Sequence, residues 1–147
     1  MQRIEPSGYK GKILICGLNP GWRPMHKQDI WKTEFGEFIE MCLMRVGLDR
    51  RDVWMTNLYK YKTEKNRRLT DDEIQIGFME ICNEIGDVKP KVIVLLGNMV
   101  REQLEWHCEE IGQKSIAIPH PSYARRNWNQ IENSYIDSFK KIKELYE

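Results

Sequence analysis

The chain has 147 residues, 41% hydrophobic and 31% charged, with five tryptophans, which excludes a disordered or fibrous polymer and suits one globular domain that buries roughly 68–70% of its unfolded surface. Lys and Arg number 23 against 22 Asp and Glu, a formal net charge of +1, so bulk charge announces no polyanionic partner. No segment reaches the ~18 apolar residues of a membrane span, and the N-terminus, with Glu5 and Lys10, has no run suited to a signal peptide, so a cytoplasmic setting without membrane contact is expected.

In chain order, KILIC at Lys12–Cys16 is an apolar run stopped by Gly17 and Pro20, which predicts a buried strand followed by a loop rich in Gly, Pro and Trp. From about Glu34 to Val46, the residues Phe35, Phe38, Ile39, Cys42, Leu43 and Val46 recur at helical spacing, with Gly47 as a left-handed stop. VWMTN at Val53–Asn57 is a second strand. The basic loop behind it ends in Thr70-Asp71-Asp72-Glu73, a capping box that opens a helix to about Ile85. Val92–Gly97 is a continuous Val/Ile/Leu run, the pattern of a strand covered on both faces. Asn98 caps a helix to Ile111, SIAI at Ser115–Ile118 is a short fourth strand, and Gln130 to Tyr146 is a last helix. Strands alternating with helices predict a three-layer α/β/α domain over residues 1–147, built on a short, mainly parallel four-stranded sheet.

Cys16, Cys42, Cys82 and Cys108 are widely separated, with no C-x-x-C pair, and are expected to be reduced thiols rather than metal ligands or disulfides. The cations cluster in loops. Lys60, Lys62, Lys65, Arg67 and Arg68 follow the second strand, Arg125 and Arg126 follow the fourth, and Arg23, His26 and Lys27 follow the first. Acidic residues such as Asp71, Asp72, Glu73, Glu105, Glu109 and Glu110 fall on helices, so a basic face opposed to an acidic back is expected.

Four segments end or follow these strands with polar groups: GLNPG at Gly17–Gly21, TNLYK at Thr56–Lys60, KVIVLLG at Lys91–Gly97 and HPSY at His120–Tyr123. In a parallel sheet such segments meet at the carboxyl edge, where α/β proteins bind ligands. Asn19 in a tight Asn-Pro-Gly turn can orient a water molecule but cannot take its proton as a carboxylate does. Asn57 offers a carboxamide that can accept from an imide N–H and donate to the adjacent carbonyl. A ligand edge with the reversed pattern would leave buried groups unpaired, at a cost of about 1–3 kcal/mol each. His120 is a donor suited to a leaving anion.

In order and spacing the four segments resemble the uracil-DNA glycosylase superfamily. GLNPG is similar to the Asn-containing first motif of its mismatch-specific, single-strand-selective and hypoxanthine-type members, and it differs from the Gln-Asp-Pro-Tyr motif of the most active uracil enzymes. The resemblance implies Asn19 and His120 as catalytic residues, Gly17, Leu18, Gly21, Phe35 and Asn57 as base-binding residues, and Lys60, Arg67, Ser122, Tyr123, Arg125 and Arg126 as DNA-binding residues. Phe35 would stack on an extruded base. Gly21 stands where strict uracil enzymes carry a methyl-excluding Tyr, so the site either admits bases substituted at carbon five or holds only a turn. Tyr123 to Asn127 resembles the loop that fills the vacated stack, with Ala124 and Arg125 where relatives commonly place Leu.

From Val53 to Leu104 the chain is most similar to the iron–sulfur uracil-DNA glycosylases of thermophiles, including Asn66-Arg67. Tyr61 and Gly77 stand where two cluster cysteines would be expected, so no cluster, metal or organic cofactor is expected. The resemblance implies a monofunctional enzyme that acts as a monomer on uracil-containing or mismatched DNA. Two alternatives stay open: a non-enzymatic reader of modified DNA, and a glycosylase for another base such as hypoxanthine. A generic nucleotide-binding domain lacks support, since neither phosphate-binding glycine loop is present.

Overall fold

The computed structural model describes residues 3–22 and 28–147. Arg23, His26 and Lys27, grouped above as a basic cluster, lie outside them. Five strands, β1 (Ser7–Gly8), β2 (Ile13–Gly17), β3 (Val53–Asn57), β4 (Val92–Leu96) and β5 (Ser115–Ile118), pair in the order β1-β3-β2-β4-β5. The last four are parallel. The two-residue β1 adds an antiparallel edge to β3, so the sheet has five strands rather than the expected four.

Side chains alternate across each strand, which decides what each helix covers. Ile13, Ile15, Val53, Met55, Val92 and Val94 face a layer formed by α1 (Glu34–Met44) and α5 (Trp128–Tyr146), where Ile39, Leu43, Tyr135 and Phe139 are fully buried. Leu14, Cys16, Ile93 and Leu95 face α2 (Asp71–Val88) and α3 (Asn98–Glu110), against Ile81, Ile85, Leu104 and Cys108. A strand buried on both faces must be apolar throughout, which is why β4 reads as an unbroken Val/Ile/Leu run.

The helix starts are chemically specified. Thr33 Oγ1 accepts from Gly36 N at 2.9 Å and opens α1, and Thr70 and Glu73 form the reciprocal capping box of α2. A short helix, α4 (Pro121–Arg126), replaces the loop expected after β5; Pro121 stands at its first turn and His120 caps it. All four cysteines are free, three of them buried, and burial pushes the Cys16 and Cys42 thiols up to about 12. Among the described residues, no helix is long and apolar enough to cross a membrane.

The charge layout departs from the expected two-faced arrangement. Asp71, Asp72 and Glu73 occupy the first turn of α2, where they complement the helix dipole. That turn comes directly after the loop leaving β3, so these acids lie at the carboxyl edge rather than behind it. Two of the five cations in that loop, Lys60 and Lys62, are buried.

Candidate active site

The parallel ladder between β2 and β3 ends at the register pair Gly17 and Asn57. Asn57 is 5% exposed. A Cβ on Gly17 would stand 2.6 Å from Asn57 Oδ1 and 3.3 Å from the Phe35 ring, so both side chains lie directly over this glycine. Phe35 occupies the first turn of α1, half-buried. Its ring is 6.4 Å from that of His120, the planes 28° apart. His120 in turn packs over Gly97, where a Cβ would meet the His120 Cβ at 3.3 Å, and the φ of 90° at Gly97 suits glycine. Strand ends β2, β3, β4 and β5 therefore bring Gly17, Asn57, Gly97 and His120 to one edge, with Phe35 across them.

The loops beyond β2 and β3 stay laced together. Leu58 N donates to Gly17 O at 2.8 Å and Tyr59 N to Leu18 O at 2.9 Å. Asn19 Nδ2 donates to Tyr61 O at 3.3 Å, and Trp22 N to Asn66 Oδ1 at 2.8 Å. A carbonyl oxygen only accepts, so the Asn19 carboxamide must offer its nitrogen to Tyr61, and its oxygen is left to receive a water proton.

His120 has its tautomer set by the same logic. Ser122 N donates to His120 Nδ1 at 3.0 Å. Nδ1 is thus an acceptor, and the ring proton of the neutral imidazole resides on Nε2. Burial, reinforced by the positive charge of Arg126, pushes the His120 pKa down and favours this neutral form. The result is an uncharged N–H donor at the sheet edge.

Several expected site residues behave differently from the sequence reading. Lys60 is not a surface cation: it is 3% exposed, bonds the main-chain oxygen of Asn57, and pairs with Glu84 at 2.8 Å. Glu84 also accepts from Trp54 Nε1. A charge held this way cannot reach a phosphate; it props the strand end that carries Asn57. The Leu18 side chain packs with the α2–α3 core cluster, so only its backbone borders the edge. Gly21 is exposed, with no heavy atom within 4 Å of an added Cβ.

Arg67 is exposed but clipped to Glu73 by two bonds of 2.8 and 3.0 Å, and this pairing holds the Glu73 carboxyl at about 2. The Ser122 amide is engaged by His120, leaving its hydroxyl for a ligand. Ala124 is fully buried and cannot serve as a wedge, whereas Tyr123, Arg125 and Arg126 are exposed. Arg125 meets Glu34 at 3.0 Å in a surface pair, which a phosphate can readily exchange.

The sequence reading placed Gly97 at this edge as the end of the KVIVLLG segment, but it missed Tyr61 and Trp22 as parts of the edge, and it missed the Lys60–Glu84 pair. A signal for the pair existed. Glu84 falls on the apolar stripe of α2 set by Ile81, Ile85 and Val88, and a carboxylate on such a stripe needs a buried partner.

An iron–sulfur cluster does not fit these residues. Tyr61 packs on Tyr59 and lies under the Arg3 guanidinium, while a Cβ at Gly77 would stand 2.6 Å from the Leu58 carbonyl oxygen, so a thiolate there would require the backbone to move. Among the described residues, no group of three or more His, Cys, Asp or Glu could hold a metal.

An open, mainly parallel α/β sheet thus delivers a carboxamide and an imidazole to its carboxyl edge, beneath an aromatic ring. The family model for the uracil DNA glycosylase superfamily matches residues 7–146, and the chain belongs to that superfamily of enzymes acting on DNA. The type-4 uracil-DNA glycosylase of Archaeoglobus fulgidus is 28% identical, the match covering 92% of this chain and 77% of that protein. Its counterpart from Saccharolobus solfataricus is 26% identical over 92% of this chain and 71% of that protein. A stretch of the DNA polymerase of Bacillus phage SP01 is 32% identical over 61% of this chain, which is 10% of the polymerase.

Proposed function

We propose that this chain, as a single domain and a monomer, hydrolyses the N-glycosidic bond of uracil in DNA and leaves an abasic site for base excision repair. The observation that carries the reading is the convergence of Phe35, Asn57 and His120 over Gly17 and Gly97, with the His120 proton directed to Nε2. Phe35 offers an apolar face to an extruded ring. Asn57 reads the imide edge of the base, and its placement under the Lys60 ammonium makes that reading rigid.

Water held by the Asn19 carboxamide oxygen adds to the sugar C1′ as the bond from C1′ to the base N1 breaks. The bonding electron pair leaves with the base, and His120 Nε2–H donates to the oxygen on which that charge collects. The oxygen added at C1′ then gives up its surplus proton to solvent, leaving the hydroxyl of the abasic site, and the departed base takes a proton from solvent. Asn19 positions the nucleophile without deprotonating it, so turnover is slower than a carboxylate would give. Exposed Arg125 and Arg126 and the Ser122 hydroxyl are the phosphate contacts of this reading.

Incubation of the protein with uracil-containing single strands and with U:G duplexes, followed by alkaline cleavage at abasic sites, tests the proposal. Uracil release that drops sharply in Asn19→Ala supports it; absence of release from both strands, with Asn19→Ala indistinguishable from wild type, overturns it. The open space around Gly21 favours a second reading, in which the base carries a substituent at carbon five. Oligonucleotides bearing 5-substituted uracils in the same assay decide between the two.

A further inference from the structure

Trp22 carries 46% of its surface in solvent, a costly place for an indole. It lies three residues beyond Asn19, so the two Cα atoms are no more than about 11 Å apart. Its main chain is held from outside its own loop: Trp22 N donates to Asn66 Oδ1 at 2.8 Å. Asn66 and Lys65 before it both adopt left-handed backbone, with φ of 58° and 52°, a conformation that non-glycine residues hold at a cost of about 1–3 kcal/mol each. The bidentate Arg67–Glu73 clip closes the same loop onto α2. Trp22, braced at its main chain, thus presents a half-exposed aromatic ring beside the catalytic edge.

The exposed aromatics of the described residues divide by position. Tyr9 follows β1 and bonds Val53 at the amino end of β3, and Trp106 stacks on Phe78 between α2 and α3. Trp22 and Tyr123, 46% and 48% exposed, are the two that follow strand ends at the carboxyl edge, one in the loop after β2 and the other on α4 after β5. Since Ala124 is buried, the α4 turn offers no aliphatic wedge at that position. Aromatic rings that flank a base site without a wedge suit a strand whose bases are already unpaired, because every base has a π-face and stacking contributes about 1–3 kcal/mol per base.

We propose that Trp22 is a stacking platform for the base adjacent to the extruded nucleotide, and that this platform makes single-stranded DNA the favoured substrate. In a duplex the flanking base is already stacked and paired, so an external indole gains little. In a single strand the base swings onto the ring without losing a partner. Asn66 acts as the positioning residue, holding the Trp22 main chain. The inference rests on the DNA-base reading above.

Affinity for a single strand containing 2′-fluoro-2′-deoxyuridine, with 2-aminopurine as the neighbouring base, is the direct measurement. Wild type is expected to quench the 2-aminopurine emission on binding. Trp22→Ala is expected to lose the quenching and roughly 5- to 150-fold in affinity, Trp22→Phe to keep most of both, and Asn66→Gly, which retains the backbone but not the carboxamide, to fall between. Duplex affinity and inhibition by free uracil should change less than about twofold by the same reasoning. Wild-type affinity and quenching in a folded Trp22→Ala protein would overturn the platform, and an equal loss on duplex would overturn the strand preference. Uracil release is scored separately. If wild type releases none while Trp22→Ala still weakens strand binding, the proposed reaction fails and the platform stands.

Discussion

Gly17 and Asn57 face each other as the last parallel pair of β2 and β3, so close that one added carbon on Gly17 would lie 2.6 Å from the Asn57 carboxamide oxygen. Gly17→Ala should therefore push aside Asn57 and the Phe35 ring, both of which are candidate base contacts. Misplacement of about 1 Å can lower catalysis ~10²-fold, and a fall of roughly 10- to 100-fold in kcat/KM is expected, with a largely unchanged melting midpoint. Steady-state kinetics beside a thermal melt separates this outcome from simple unfolding.

Lys60 and Glu84 form a buried pair, and removing one partner strands the other. Lys60→Met should destabilise the fold by about 3–5 kcal/mol, while Lys60→Met combined with Glu84→Met should recover most of that loss. Urea unfolding of the two variants measures both. The double variant should nevertheless discriminate less well between uracil and cytosine, because the Asn57 main-chain oxygen has lost its ammonium.

His120 should give the reaction an acid limb. Neutral imidazole is favoured in the fold, so activity should be level above the ordinary imidazole value of 6.5 and fall as the pH drops through the lower folded value. Stability follows the same sign: the neutral histidine's contribution is complete above 6.5 and is lost as acid puts a proton on Nδ1 against the Ser122 amide. Arg126→Ala should move the limb towards 6.5 by removing the adjacent charge. His120→Gln should lower kcat by about 10²–10³-fold.

Arg126 also offers an exposed charge to the phosphate backbone, whereas Lys60 does not. Arg126→Ala should weaken binding uniformly across sequences and reduce the slope of log affinity against log salt by about one. In the double Lys60 and Glu84 variant that slope should stay unchanged. Fluorescence anisotropy at several salt concentrations reads both.

Glu73 supplies a test of the loop closure. Its carboxyl is held at about 2 against an ordinary 4.5, chiefly by Arg67, so the contribution of the pair is present above 4.5 and is lost as the pH falls through about 2. Arg67→Ala should weaken that dependence, leaving the part owed to the Thr70 capping bonds, and loosen the loop that carries Asn66. Acid titration followed by circular dichroism distinguishes the variant from wild type.

Strands β3 and β4 were legible because their character is local: VWMTN and VIVLL are apolar runs bounded by polar or turn residues. β1 was not, since Ser7 and Gly8 carry no pattern and become a strand only by pairing with Met55 and Trp54. α4 was hidden by its six-residue length, with only Pro121 and Ala124 buried. At the site, the sequence order pointed to Gly17, Asn57 and His120, which the fold brings to one edge with Phe35. Lys60 was misread because charge is visible in a sequence while its partner, Glu84, lies 24 residues away on another element. Trp22 was passed over for a related reason: its brace, Asn66, lies 44 residues off and owes its position to a left-handed backbone.

The four bonds that tie Gly17, Leu18, Asn19 and Trp22 to Leu58, Tyr59, Tyr61 and Asn66 carry a consequence for redesign. They make residues 17–22 and 57–66 one cassette. An insertion, deletion or graft confined to either segment would unzip the seam, so retargeting the enzyme to a new base requires both to be exchanged together.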